Sequence, residues 1–217
     1  PLPELSVFDA EDCPVRFDGL WLWDFWPAEG SDGLRAAVGG GELWFALSSP
    51  IFDDPDERHH VARIRMLHRI EDAWRDIGPA FPDGFTPGSR EWSGSAIIEG
   101  SRLTLYFTAA GRRGEARPTF EQRIFSSSAE INLTGVAIGS WSPPDESFAS
   151  DGVVYAHARE ATGAIGSIEA FRDPAWFRDP ADGAEYLLFT GSIGGSTSSH
   201  SGCVGIARRE ACGWALL

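Results

Sequence analysis

From Gly41 onward the chain is written in short apolar and aromatic runs separated by clusters of Gly, Pro, Asp and Ser, with no long stretch of helical period. That pattern constrains the fold more than any other feature, because period-two runs bounded by turn residues specify strands and hairpins. "GELWFALS" (Gly41–Ser48) follows a turn at Gly39-Gly40-Gly41. "GSAIIEGSRLTLYFTAA" (Gly94–Ala110) reads as two strands around Glu99-Gly100-Ser101, and "AWFRDPADGAEYLLFTGS" (Ala175–Ser192) as a hairpin turning at Asp182-Gly183. "FEQRIFSS" (Phe120–Ser127) and "GCVGIARR" (Gly202–Arg209) supply two more strands. "HHVARIRMLHR" (His59–Arg69) alternates Ile64, Met66 and His68 against arginines and is read as a strand, a short helix being the alternative. "GSWSPPDESFASDG" (Gly139–Gly152) is a long surface loop by composition. The fold class is all-β, as a sandwich, barrel or propeller, and no linker divides residues 1–217.

Charge removes several functions. The formal net charge of −14 opposes binding to nucleic acid or to an anionic membrane, both of which need a positive surface. All 18 basic residues other than His are Arg. Without Lys there is no Walker-type phosphate loop and no Schiff base, so the Gly-rich run from Thr190 to Gly205 reads as loop. Cys13, Cys203 and Cys212 neither build a disulfide framework nor space like a zinc site, although Cys203 and Cys212 could close a small loop. His59, His60 and His68 lack the carboxylate spacing of a metal site and read as strand or surface histidines. "FDDPDE" (Phe52–Glu57) is acidic without the spacing of a calcium loop and reads as solvated loop, so no metal or cofactor is expected. No apolar run is long enough to span a membrane, and the sequence opens on Pro1 without a leader, as a processed secreted protein or a fragment does.

One stretch places an acid where acids are costly. "GLWLWDFWPAEG" (Gly19–Gly30) sets Asp24 among Trp21, Trp23, Phe25 and Trp26. Strand alternation puts Asp24 on one face with Leu22 and Trp26, and Trp23 with Phe25 on the other. A carboxylate flanked in this way loses hydration and needs donors, which Ser93, Arg90 or Arg172 could supply. Two further segments, "REWSGSA" (Arg90–Ala96) and "FRDPAWFRDP" (Phe171–Pro180), combine aromatic, hydroxyl, basic and acidic residues. Singly each reads as packing or as an ion-paired turn.

In this order and at these separations, "WDFWP", "EWSGSA" and "FRDP" resemble the nucleophile, substrate-pocket and transition-state-stabiliser motifs of glycoside hydrolase family 68, the levansucrases, inulosucrases and bacterial β-fructofuranosidases. The text from Trp74 to Ala96 and from Pro118 to Phe125 extends the likeness, which runs from about Phe17 to about Trp214. The resemblance implies a five-bladed β-propeller, of which residues 1–217 form an N-terminal part of about three blades, with a sucrose pocket on its axis. It assigns Asp24 as the nucleophile that forms a covalent fructosyl-enzyme, and Asp173 as the stabiliser of an oxocarbenium-like transition state. Trp23 and Trp92 would line the fructosyl subsite, Ser93 would hydrogen-bond the nucleophile, and Arg172 would help fix the ring.

A retaining glycosidase also needs a carboxylic acid that protonates the departing oxygen. The family places that Glu in an Arg-containing acidic motif downstream of "FRDP", and no such motif occurs in these 217 residues; Glu210 in "ARREACGW" does not match it. The resulting expectation is that a second polypeptide supplies the remaining blades and the acid/base Glu. The expected partners are sucrose and fructosyl acceptors, with neither nucleic acid nor membrane among them. The expected location is secreted, extracellular or periplasmic, in a bacterium. Two other readings stay open: a carbohydrate-binding propeller that has lost catalysis, and a related propeller glycosidase acting on arabinofuranosides or fructans.

Overall fold

Alternation, turn glycines and β-branched or aromatic side chains set most of the elements. In the computed structural model, which describes residues 17–158, 169–198 and 200–217, they assemble as three four-stranded antiparallel units. The first contains β1 (Leu20–Gly30), β3 (Gly41–Pro50), β4 (Arg63–Ile70) and β5 (Ala73–Pro79), with the short β2 (Ala37–Val38) paired to β3. The second contains β6 (Arg90–Glu99), β7 (Arg102–Ala110), β8 (Gln122–Asn132) and β10 (Asp145–Phe148), with β9 (Ala137–Ile138) beside β8. The third is β11 (Phe171–Arg178), β12 (Glu185–Ser192), β13 (Gly202–Glu210) and β14 (Gly213–Leu216). Within each unit the strands follow in chain order, so each is a meander of the kind that makes a propeller blade.

The first strand of each unit faces its counterparts. β1 and β6 pair in parallel over Ala28–Gly30 and Ala96–Ile98, and β11 is held to β6 by the Trp176 amide donating to Ser95 Oγ at 2.9 Å. Alternation then dictates the packing. Leu43, Phe45 and Leu47 of β3 share one core with Leu103, Leu105 and Phe107 of β7, between the first and second blades. Tyr106, Ile124 and Phe148 of the second blade pack on Phe171, Leu187 and Phe189 of the third. Each Leu or Phe so buried stabilises the fold by about 2 kcal/mol. The outward side of the first blade carries Trp44, Trp74 and the 48% exposed Phe25, which meet edge to face. On the third blade Phe177 and Val204 are likewise exposed.

Several expectations need correcting. His59 and His60 belong not to a strand but to a 3-10 helix, Pro55–His60, which Asp54 caps by accepting from the Asp56 amide at 2.9 Å and which Pro55 opens. The strand starts only at Arg63. The loop from Gly139 to Gly152 contains β10, an edge strand too short and polar to carry an alternation signal. Cys203 and Cys212 are both free thiols. They lie near opposite ends of the extended β13, and nine residues at ~3.3 Å per residue separate them far beyond disulfide reach. Cys13 lies outside the described residues.

Candidate active site

The inner strands of the three blades share one irregularity. In β1 the pairing with β3 steps from Trp23↔Leu47 to Trp26↔Phe45, so one residue is in excess around Asp24. In β6 the step is from Trp92↔Thr108 to Gly94↔Phe107, which leaves Ser93 unpaired. In β11 it is from Arg172↔Thr190 to Ala175↔Leu188, around Asp173. A bulge of this kind re-aims a side chain that regular alternation would send to a sheet face. Here three bulges turn Asp24, Ser93 and Asp173 into one cavity of about 470 Å³.

The backbone shows how this is done. Asp24 at φ 50° and Asp173 at φ 58° occupy the left-handed region, where Asp is among the better tolerated non-Gly residues. Gly94 completes the bulge beside Ser93, since a Cβ there would meet the Tyr106 carbonyl oxygen at 1.8 Å. The glycine in "EWSGSA" is therefore a requirement of close strand approach. The bulge also overturns the simple alternation expected for β1, because Asp24 and Trp23 line the same cavity. It leaves Asp24 exposed on the open side of that cavity rather than shut among aromatic rings.

Of the donors anticipated for Asp24, Ser93 is the one that reaches it, with Oγ donating to Oδ2 at 2.6 Å. Arg90 is instead 1% exposed and paired with Glu115 at 3.0 Å. Arg172 serves the other carboxylate, with Nε 3.3 Å from Asp173 Oδ2. Its Nη1 donates to Gln122 Oε1 at 3.1 Å, an oxygen that also accepts the Phe171 amide at 3.1 Å. Thr190 Oγ1 approaches Asp173 Oδ2 at 3.5 Å. Burial pushes the Asp173 carboxyl up to about 6, with the Arg172 guanidinium opposing the rise and the negative charge of Asp24 adding to it.

Aromatic rings wall the cavity. Trp92 is 9% exposed and packs against Phe120, with the Arg172 guanidinium carbon 6.0 Å from its ring centroid. Trp23 receives the edge of His59 at 6.0 Å and Arg58 at 5.5 Å. All six residues proposed from the sequence, Trp23, Asp24, Trp92, Ser93, Arg172 and Asp173, line this one space. Asp56, His59, His60 and Phe120 line it too and were not anticipated. The signal for the first three was legible as a helix start, "DPDERHH", with an Asp cap before Pro. Burial lowers the His59 pKa, with Arg58 acting the same way and Asp56 and Asp24 opposing.

Asp24 and Asp173, two of the three carboxylates of this aromatic-walled cavity, one held by a hydroxyl and the other by a guanidinium, suit chemistry that passes through positive charge at carbon. The inulosucrase from Halalkalicoccus jeotgali, solved with kestose bound, superposes with a TM-score of 0.82 at 34% identity, covering 94% of this chain and 54% of that one. Bacillus subtilis levansucrase, solved in complex with oligosaccharides, superposes at 0.75 with 20% identity, covering 98% of this chain and 59% of its own. The fold is thus that of the family's five-bladed β-propellers, of which the described residues build three blades. The Rahnella aquatilis levansucrase is 29% identical over 92% of this chain and 50% of its own length. The extracellular sucrase of Zymomonas mobilis is 28% identical over 88% and 45%. The chain spans about half the length of the curated relatives it matches. The levansucrase/invertase model matches residues 7–210, which include every residue of the cavity, and the chain accordingly belongs to glycoside hydrolase family 68.

Proposed function

We propose that this chain carries the fructosyl subsite of a retaining enzyme that transfers fructose from sucrose to water or to a growing fructan. The observation that supports the reading most directly is the shared cavity of Ser93-bound Asp24 and Arg172-paired Asp173. In this mechanism an oxygen of Asp24 forms a bond to the anomeric carbon of the fructosyl unit while the bond to the glucosyl oxygen breaks. The departing oxygen takes its proton from a carboxylic acid. Water or an acceptor hydroxyl then attacks the same carbon, returns its proton to that acid's conjugate base, and frees Asp24. Ser93 holds one oxygen of Asp24 so that the other points along the line of attack. Ionised Asp173, oriented by Arg172, accepts fructosyl hydroxyls and offsets the developing positive charge. Trp23 and Trp92 exclude water and face the sugar C–H bonds.

The proton donor lies outside this cavity's own carboxylates in the proposed scheme. Asp173 is paired with a guanidinium and does another task, and no residue of the 217 matches the family's acid motif. We place the acid and the remaining blades on polypeptide beyond these residues, whether continuous with them or a second chain, covering the aromatic side of the first blade and the exposed side of the third. The scheme needs no cofactor, and a secreted or periplasmic bacterial enzyme is the corresponding setting. No helix among the described residues is long and apolar enough to cross a membrane.

The test uses the protein in its complete natural form with sucrose, scoring glucose release and fructose products. Asp24→Ala is expected to lower kcat by at least ~10⁴-fold with the fold retained. Retention of more than a few per cent of kcat would remove Asp24 from the nucleophile's role.

A further inference from the structure

β11 does not pair with the second blade as a strand, yet three of its amides are satisfied there by side chains, one from each successive strand. Phe171 N donates to Gln122 Oε1 of β8 at 3.1 Å, Asp173 N to Thr108 Oγ1 of β7 at 2.8 Å, and Trp176 N to Ser95 Oγ of β6 at 2.9 Å. Among them the Thr108 hydroxyl alone also reaches the other half of the site, donating to the Ser93 carbonyl oxygen at 3.3 Å. Thr108 is 0% exposed. A continuous chain of bonds therefore runs from the Asp24 carboxylate through Ser93 and the Thr108 hydroxyl to the Asp173 amide.

The bulges make this connection consequential. Ser93 and Asp173 each sit where ladder pairing is interrupted, so regular backbone bonds do not fix their separation. Asp173 is moreover in the left-handed region, a conformation that persists only when its surroundings hold it. We propose that Thr108 is a positioning residue that sets the spacing between the Asp24–Ser93 pair and Asp173 through its single hydroxyl. Thr108 touches no substrate in this scheme; it acts through the two groups that its oxygen binds. The proposal rests on the fructosyl-transfer reading for its kinetic consequence and on geometry alone for its structural one.

The complete natural form of the protein is compared with Thr108→Val and Thr108→Ser, by sucrose kinetics and by residue-resolved amide hydrogen exchange. Val keeps the shape and deletes both bonds, so kcat should fall about 10–100-fold with KM within about twofold, the cost of a small misplacement at the reacting centre. Exchange at the Asp173 amide should accelerate about tenfold or more, while Leu105 in the same β7 strand keeps its parental rate. Ser restores the hydroxyl and should return both readings to within about threefold of the parent. Unchanged exchange at Asp173 in Thr108→Val overturns the proposal, and so does a Ser variant as impaired as Val. A kcat within twofold of an active parent in Thr108→Val overturns it as well. If Val fails to fold, Thr108→Ala takes its place, and loss of the fold in both would make the hydroxyl a structural requirement and end the positioning role. A parent inactive on sucrose would refute the functional reading, while the exchange comparison would still decide the role of Thr108.

Discussion

Asp173 offers the most quantitative test of the site, because three opposing influences on one carboxyl can be separated. Burial raises it to about 6 from an ordinary Asp value near 3.8, Arg172 pulls it down and Asp24 pushes it up. The perturbation is Arg172→Gln, which removes a guanidinium whose Nε lies 3.3 Å from Asp173 Oδ2. At that distance the attraction is about 1 kcal/mol in a water-like medium and about 5 kcal/mol at an effective dielectric of 20. The Asp173 side chain is 36% exposed toward the open cavity, which places the pair near the lower end. Losing that attraction favours the neutral acid, so the variant's Asp173 should titrate above the parental value. Asp24→Asn should move the same carboxyl in the opposite direction, by less, since its charge is the weaker of the two influences. The assay is carbon-detected NMR of aspartate carboxyls across pH 3–9 (roughly spanning both states). In the active protein the acid limb of kcat/KM should follow, activity rising as Asp173 ionises through about 6. The stability contribution has the reverse sense: because the folded value is raised, it is present below about pH 4 and lost as pH rises through about 6. A parental Asp173 that titrates at or below its ordinary value, or two variants that shift it the same way, would refute the reasoning.

Three further outcomes concern Ser93 and the buried Arg90–Glu115 pair. Ser93→Ala removes a charge-assisted bond of 2.6 Å to an exposed carboxylate, and kcat/KM should fall about tenfold, the solvated end of the range for such bonds; steady-state kinetics on sucrose checks it, and less than a twofold change would count against Ser93 as an orienting group. At Glu115, burial favours the neutral acid, but bonds from Ser89, Thr119 and the Arg112 and Thr119 amides outweigh it and hold the carboxyl at about 2. Its contribution to stability is therefore present above pH 4.5 and lost as pH falls through about 2. Glu115→Gln also removes the counter-charge of Arg90, 1% exposed, which keeps its bonds to Ser89 Oγ and the Thr119 carbonyl, and should cost about 3 kcal/mol in urea unfolding at neutral pH; a loss under about 1 kcal/mol would show that those bonds suffice.

Much of this architecture is local in origin and is legible in the sequence. The alternation of Leu43, Phe45 and Leu47, and the turns at Gly100 and Gly183 with φ of 60° and 74°, follow from side-chain period and steric allowance within a few residues. The six residues drawn from "WDFWP", "EWSGSA" and "FRDP" line one cavity. The approach of Asp24, Ser93 and Asp173 has a different origin. Each stands at a bulge, and one extra residue in a strand is defined only against its partner strand, not by the strand's own sequence. The alternation rule consequently misassigned Asp24 and Trp23 to opposite faces. Gln122 and Thr108 carried no local signal at all, since their bonds reach Arg172 and Asp173 across 50 and 65 positions. His59 entered the cavity because a Pro-led turn replaced the strand expected from its neighbours. By itself the sequence determined most of the strands, their turns and which residue types the cavity draws on. Tertiary structure alone decided where those side chains point, because bulges and side chain–backbone bonds come into existence only when separate blades meet.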